Sequence, residues 1–106
     1  MEIKNKRVVV TGAASGIGRA LCEEFFASEV QSIVCVDMNI EGAEETAKNV
    51  NGIAISADVS EEKDIINVIK KANEFYGGID IFCSNAGIGG KPGLLNSEPS
   101  DWDKIW

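Results

Sequence analysis

Thr11-Gly12-Ala13-Ala14-Ser15-Gly16-Ile17-Gly18 is the stretch that decides how this chain is read. Before it stands Arg7 to Thr11 (RVVVT), a β-branched run without polar alternation, as expected for a strand covered on both faces. After it Ile17, Leu21 and Phe25 recur four apart, with Cys22 and Phe26 beside them, which predicts a helix running to about Ser28. The glycines therefore fall in a strand-to-helix turn. Gly12 allows the sharp departure from the strand, Gly16 lets a pyrophosphate come close to the backbone, and Gly18 lets the helix pack tightly. The N–H groups at the helix start then face the anion, with the helix dipole in support. The spacing is G-x-x-x-G-x-G and differs from the G-x-G-x-x-G of the common dinucleotide fingerprint. An ordinary tight strand-helix turn is the competing reading.

The next run bears on that choice. Ser32 to Val36 (SIVCV) reads as a second buried strand closed by Asp37, 19 positions after Gly18. An acid at an offset of about 20 residues can accept hydrogen bonds from an adenosine ribose. A carboxylate there repels a 2'-phosphate, and neither Ser15 nor Met38 supplies a cation to offset it. NAD is thus expected over NADP. The alternative for Asp37 is a cap on a helix or turn.

The strand-helix alternation continues. Asn39 is an expected N-cap for a helix over 40–49 with Gly52 as its stop, and 53–57 (IAISA) reads as a third strand. Ser60 is expected to cap the longest helix, with Glu61 and Glu62 in its first turn, where the dipole favours acids. Its apolar stripe is Ile65, Ile69 and Ala72 with Ile66, Val68 and Phe75, and the Gly77-Gly78 pair ends it. A fourth strand is expected over 79–83 (IDIFC). Residues 85–99, holding four Gly and both Pro, read as a loop, and a helix is expected to open at Asp101 behind Ser100. The order β-α-β-α-β-α-β plus the start of a fourth helix implies an α/β fold, a doubly wound parallel sheet of Rossmann type, within one domain over 1–106.

Composition removes other classes. The net charge of -7 argues against a nucleic-acid backbone or an anionic membrane surface as partner. With no His in the sequence, histidine triads and His-containing zinc sites are excluded. Cys22, Cys35 and Cys83 form no C-x-x-C pair and sit in apolar runs, so they are expected to be small buried hydrophobes. No apolar stretch is long enough to span a bilayer, and the polar start has no signal-peptide pattern, so a cytoplasmic protein is expected.

With these residues in place the chain resembles the first half of a short-chain dehydrogenase/reductase. The resemblance rests on the T-G-x-x-x-G-I-G loop, Asp37, Asp58-Val59 after the third strand, and Asn85-Ala86-Gly87 after the fourth. It implies that Gly12, Ser15, Gly16, Ile17 and Gly18 hold the pyrophosphate, with Ile17 near the nicotinamide side, and that Asp37 binds the adenosine ribose. It further implies that Asp58 and Val59 frame the adenine. Asn85, Ala86 and Gly87 would line the cofactor cleft, and Asn85 would also tie the central strands together. Ser84 stands where the family usually has another Asn. The family's chemistry uses a Tyr, a Lys four residues later and a Ser, and none can be assigned here. The one Tyr, Tyr76, is followed four residues later by Asp80, so it reads as a packing residue and no catalytic residue is named.

The resemblance implies an NAD-dependent alcohol dehydrogenase or carbonyl reductase, represented by its cofactor half and inactive by itself. The full protein would act on a small alcohol or carbonyl substrate and would be a homo-oligomer. In the family's strand order the fourth strand is central, so Ile79, Ile81 and Phe82 are expected at an exposed sheet edge in this chain, an aggregation hazard. The competing functions are a non-catalytic NAD-binding module and a truncated product without function.

Overall fold

The computed structural model describes residues 3–85. Four short strands alternate with three helices: β1 (Arg7–Thr11), α1 (Gly16–Ala27), β2 (Ser32–Asp37), α2 (Ile40–Val50), β3 (Ile53–Ser56), α3 (Glu62–Tyr76) and β4 (Ile81–Cys83). All strand pairs are parallel, in the order β3-β2-β1-β4. The chain first steps outward from β1 to β3, then crosses back to place β4 on the other side of β1. A fixed crossover hand puts the helices of the two directions on opposite faces, and the core divides accordingly. Val8, Val10, Ile33 and Cys35 pack with Cys22 of α1 and with Ala43, Ala47 and Val50 of α2. Val9, Val34, Val36, Ile55 and Phe82 pack on the other face with Val68 and Ala72 of α3. The three consecutive valines of β1 therefore serve both layers, which explains a strand with no polar alternation. The expected α/β doubly wound sheet is the fold observed.

Several local expectations need correction. Gly52 is not the residue that ends α2. Asn51 takes the left-handed position, at φ 57°, and Gly52 is needed instead because a Cβ there would stand 2.3 Å from the Ile33 carbonyl oxygen. Ser60 does not cap α3. The N-cap is Glu61, without a side-chain hydrogen bond, and the Ser60 hydroxyl donates to Asp58 Oδ1 at 2.6 Å. β3 stops at Ser56, one residue short of the expected end. β4 begins at Ile81 and not at 79, because the Asp80 carboxylate takes the Arg7 backbone N–H at 2.8 Å where a ladder carbonyl would stand. The same carboxylate holds the Arg7 guanidinium through Nε at 2.9 Å and Nη2 at 3.0 Å. That fork keeps the Asp80 carboxyl well below the usual range, at about 2.

The expected apolar stripes are only partly buried. Val68 and Ala72 lie in the core, whereas Ile66, Phe75, Phe26 and Ile17 are at least half exposed. Among the described residues β4 is an edge strand, as expected, but the Phe82 side chain is buried against the α3 layer, and Ile79 and Ile81 are half-buried. Asn39 caps α2 as expected, accepting from the Gly42 N–H at 3.1 Å, and Gly77, at φ 80°, ends α3. Cys22 and Cys35 are buried and Cys83 half-buried, all three as free thiols. Burial pushes the Cys83 thiol up to about 11, far from a reactive thiolate at neutral pH. The loop over 85–99, beyond its first residue, and the helix at Asp101 lie outside the described residues.

Candidate cofactor site

Because all four strands are parallel, the segments after them emerge along one edge of the sheet. That edge collects the Gly12–Gly18 turn after β1, Asp37 at the end of β2, Asp58 and Val59 after β3, and Asn85 after β4. The order reverses between β1 and its two neighbours, β2 and β4, and open α/β sheets bind ligands in the crevice at such a point.

The turn is built by its own small residues. Gly12 adopts φ 69°, a left-handed conformation that costs little only without a Cβ. Its carbonyl accepts from the Ser15 N–H at 3.1 Å and from the Ser15 hydroxyl at 2.7 Å. Ser15 Oγ in turn caps α1 by accepting from the Gly18 N–H at 3.3 Å. Gly18 lies so close to the start of the turn that a Cβ would come within 1.9 Å of the Gly12 carbonyl oxygen. Its smallness thus closes the turn upon itself, a tighter constraint than the helix-sheet packing expected. Gly16 is the opposite case: a Cβ there would meet nothing within 4 Å. Of the first helical N–H groups, Gly18 bonds the cap and Arg19 bonds the Ser15 carbonyl at 2.7 Å. Gly16 and Ile17 carry the N–H groups with no acceptor inside the helix. Open space over Gly16 and two such donors make a cradle for an anion.

Asp37 is held against this cradle. Its Oδ2 accepts from the Ala14 N–H at 3.0 Å and its Oδ1 from the Asn39 N–H at 2.9 Å. A carboxylate has about four acceptor positions, so two remain for hydroxyl groups of a ligand. The alternative reading of Asp37 as a turn cap is therefore also true: it caps the turn with one lone pair on each oxygen and keeps the rest. Ile17, three residues after Ala14, and Met38, next to Asp37, leave about two-thirds of their surface exposed.

The other candidates are placed less completely. Asp58 receives the Ser60 hydroxyl and the Ser60 N–H on Oδ1, which lowers its pKa, while its own N–H goes to Asp64 Oδ2 at 2.8 Å. It is ionised and oriented, with Val59 half-buried beside it. The Asn85 N–H donates to Thr11 Oγ1 at 2.8 Å, and Thr11 Oγ1 itself donates to the Cys83 carbonyl at 3.3 Å. The tie between the central strands expected of Asn85 is thus made by its backbone and by Thr11. Ala86 and Gly87 lie outside the described residues. Tyr76 packs against the α3 layer, and burial raises its hydroxyl pKa.

Sequence reasoning missed Thr46, Arg19 and Glu45. The Thr46 hydroxyl, fully buried, donates to the Ala13 carbonyl at 2.9 Å, and Arg19 bridges Thr46 Oγ1 at 3.2 Å and Glu45 Oε1 at 2.7 Å. A signal was available. Ala43, Thr46, Ala47 and Val50 form the buried stripe of α2, and Thr46 is its one polar member. Among the described residues no helix is long and apolar enough to cross a membrane.

Comparison with known proteins agrees with this fold. The family model described as short chain dehydrogenase matches residues 6–106. The chain is 34% identical to an uncharacterized oxidoreductase, YuxG, of Bacillus subtilis (strain 168), over 96% of this chain and 16% of that protein. It is 32% identical to the 3-oxoacyl-[acyl-carrier-protein] reductase FabG of Thermotoga maritima, over 99% of this chain and 44% of that one. Among solved structures, a 3-ketoacyl-(acyl-carrier-protein) reductase from Brucella melitensis complexed with NADH superposes with a TM-score of 0.72 at 30% identity, covering 76% of this chain and 33% of that one. The chain thus spans less than half the length of these relatives. On the family match over 6–106 and the parallel sheet carrying its Gly-rich turn, this chain belongs to the short chain dehydrogenase family of oxidoreductases.

Proposed function

We propose that residues 1–106 form the NAD-binding part of an oxidoreductase that interconverts a small alcohol and its carbonyl compound. The observation that carries this reading is the 3.0 Å hydrogen bond from Ala14 N–H to Asp37 Oδ2, which holds a carboxylate beside the Gly-rich turn, where it would read a ribose next to a bound pyrophosphate. The pyrophosphate would sit over Gly16, against the N–H groups of Gly16 and Ile17, with Gly12, Ser15 and Gly18 holding the turn. Asp37 would accept from the adenosine ribose hydroxyls, Asp58 and Val59 would flank the adenine, and Asn85, Ala86 and Gly87 would line the cleft toward the nicotinamide. The nicotinamide ring, when bound, supplies the hydride acceptor or donor.

This chain's own residues bind and orient. An acidic protein binding an anionic ligand must rely on local donors, and the cradle supplies them from the backbone, where they need no cationic side chain. Asp37 would disfavour a 2'-phosphate through charge repulsion, so NAD is favoured over NADP. The sequence holds one Tyr, with Asp80 four residues later and paired to Arg7, so we assign no proton-transfer residue to this chain and expect no turnover from it alone. The cytoplasm, a small-molecule substrate and a homo-oligomeric full protein complete the reading. Replacing Asp37→Arg tests it: NADP should then bind more tightly than NAD, and an unchanged preference would refute the role of Asp37.

A further inference from the structure

We infer that Thr46, remote in sequence from the Gly-rich turn, is a positioning residue that aims the Asp37 carboxylate by fixing one peptide plane. The inference rests on the dinucleotide reading of the site and deepens it.

The Ala13 carbonyl and the Ala14 N–H belong to the same peptide unit, so their directions are rigidly opposed. Thr46 Oγ1 donates to the carbonyl at 2.9 Å, and the N–H donates to Asp37 Oδ2 at 3.0 Å. The unit is therefore pinned at both ends, by α2 on one side and by the end of β2 on the other. The proton on Thr46 has only one direction available. Arg19 Nε donates to Oγ1 at 3.2 Å, and a guanidinium offers donors alone. The Thr46 hydrogen must then go to the Ala13 carbonyl, which only accepts. Glu45 fixes Arg19 in turn through Nη2 at 2.7 Å. The result is one polarised sequence of hydrogen bonds from Arg19 through Thr46 and the 13–14 peptide to Asp37, with Arg19 anchored by its second donation to Glu45.

Loss of the hydroxyl releases this plane. A peptide turned the other way would present the Ala13 carbonyl to the Asp37 carboxylate, two acceptors in contact, and the carboxylate would swing away. Thr46 is 0% exposed, so it does not touch a bound ligand and acts only through the turn. Gly42 strengthens the coupling: α2 approaches so closely that a Cβ at Gly42 would come within 2.6 Å of the Ala14 Cβ.

The test compares Thr46→Val, which keeps the shape and removes the donor, with Thr46→Ser, which keeps the donor. Two readouts are used on the purified protein: the Ala14 amide proton by NMR (shift and exchange rate), and the affinities for NAD and NADP by calorimetry. In the parent and in Thr46→Ser the Ala14 amide should be downfield and protected. In Thr46→Val it should move upfield and exchange faster, and NAD should bind about tenfold more weakly, the order of one hydrogen bond to a charged group, with NADP affected less. Should Thr46→Val fail to fold, Arg19→Leu, at a half-exposed position, provides the second variant, with the same direction of change expected. An unchanged Ala14 amide and an unchanged NAD-to-NADP ratio in a folded Thr46→Val or Arg19→Leu protein would overturn the inference. So would a Thr46→Ser protein as impaired as Thr46→Val, which would make the role one of packing. If the parent binds neither dinucleotide while the Ala14 amide responds as described, the cofactor reading fails and the orienting role of Thr46 stands.

Discussion

Gly16→Ala separates what the turn needs to fold from what it needs to bind. A Cβ at Gly16 would meet nothing within 4 Å, and the residue lies at the first position of α1 with no positive φ. Ala there is compatible with the native backbone, so the main effect on folding is a loss of freedom in the unfolded chain. That effect stabilises by about 0.4–1 kcal/mol. For a domain of this size 1 kcal/mol corresponds to a Tm shift of about 4–8 °C, so the variant should melt a few degrees higher. Binding should move the other way. If a pyrophosphate approaches the backbone over Gly16, the added methyl occupies that approach, and a tenfold loss of NAD affinity, about 1.4 kcal/mol, is expected as a minimum. Thermal unfolding by circular dichroism and calorimetric titration read the two effects separately. A variant that melts lower, or one that binds NAD as tightly as the parent, would refute the assignment of Gly16 as the open floor of the cradle.

The remaining expectations follow from neighbouring contacts. Gly18→Ala should destabilise, because its Cβ would fall 1.9 Å from the Gly12 carbonyl oxygen and backbone must shift to make room. Overpacking of this kind costs about 1–3 kcal/mol, so its Tm should fall where that of Gly16→Ala rises, and equal shifts in both would contradict the geometry. Asp80 should make stability sensitive to acid. Its folded pKa of about 2 lies below the ordinary 3.8, so its contribution is complete above about pH 4 and is lost as pH falls through about 2. Asp80→Asn should accordingly melt lower than the parent at neutral pH, with the difference shrinking toward pH 2 in urea or thermal titrations.

What could be read from the sequence is what neighbouring residues decide between themselves. The Arg7–Thr11 run, the glycines that follow it and the four-apart apolar positions of α1 are local patterns, and Asp37 was placed by its distance along the chain. The fold, and the placing of the Gly-rich turn and Asp37 at one edge of the sheet, were legible for that reason. The errors arose where a distant partner competed for a group. Asp80 shortened β4 by taking a backbone N–H that belongs to Arg7, 73 residues earlier. Asp58 drew the Ser60 hydroxyl away from α3. Gly52 had the composition of a helix stop, but close approach to Ile33 on β2 fixes its identity and Asn51 carries the left-handed turn. Thr46 was visible only as a polar residue on a buried stripe, and its partner, the Ala13 carbonyl, is 33 residues away.

The central claim is that the Gly12–Gly18 cradle and Asp37 together hold NAD. Titration of the unmodified protein with NAD and, separately, with NADP under identical salt conditions addresses it most directly. Saturable one-to-one binding of NAD, with NADP clearly weaker, is the result expected from a carboxylate at the ribose. Equal affinity for the two would contradict the placement of Asp37, and absence of binding to either would contradict the cradle itself.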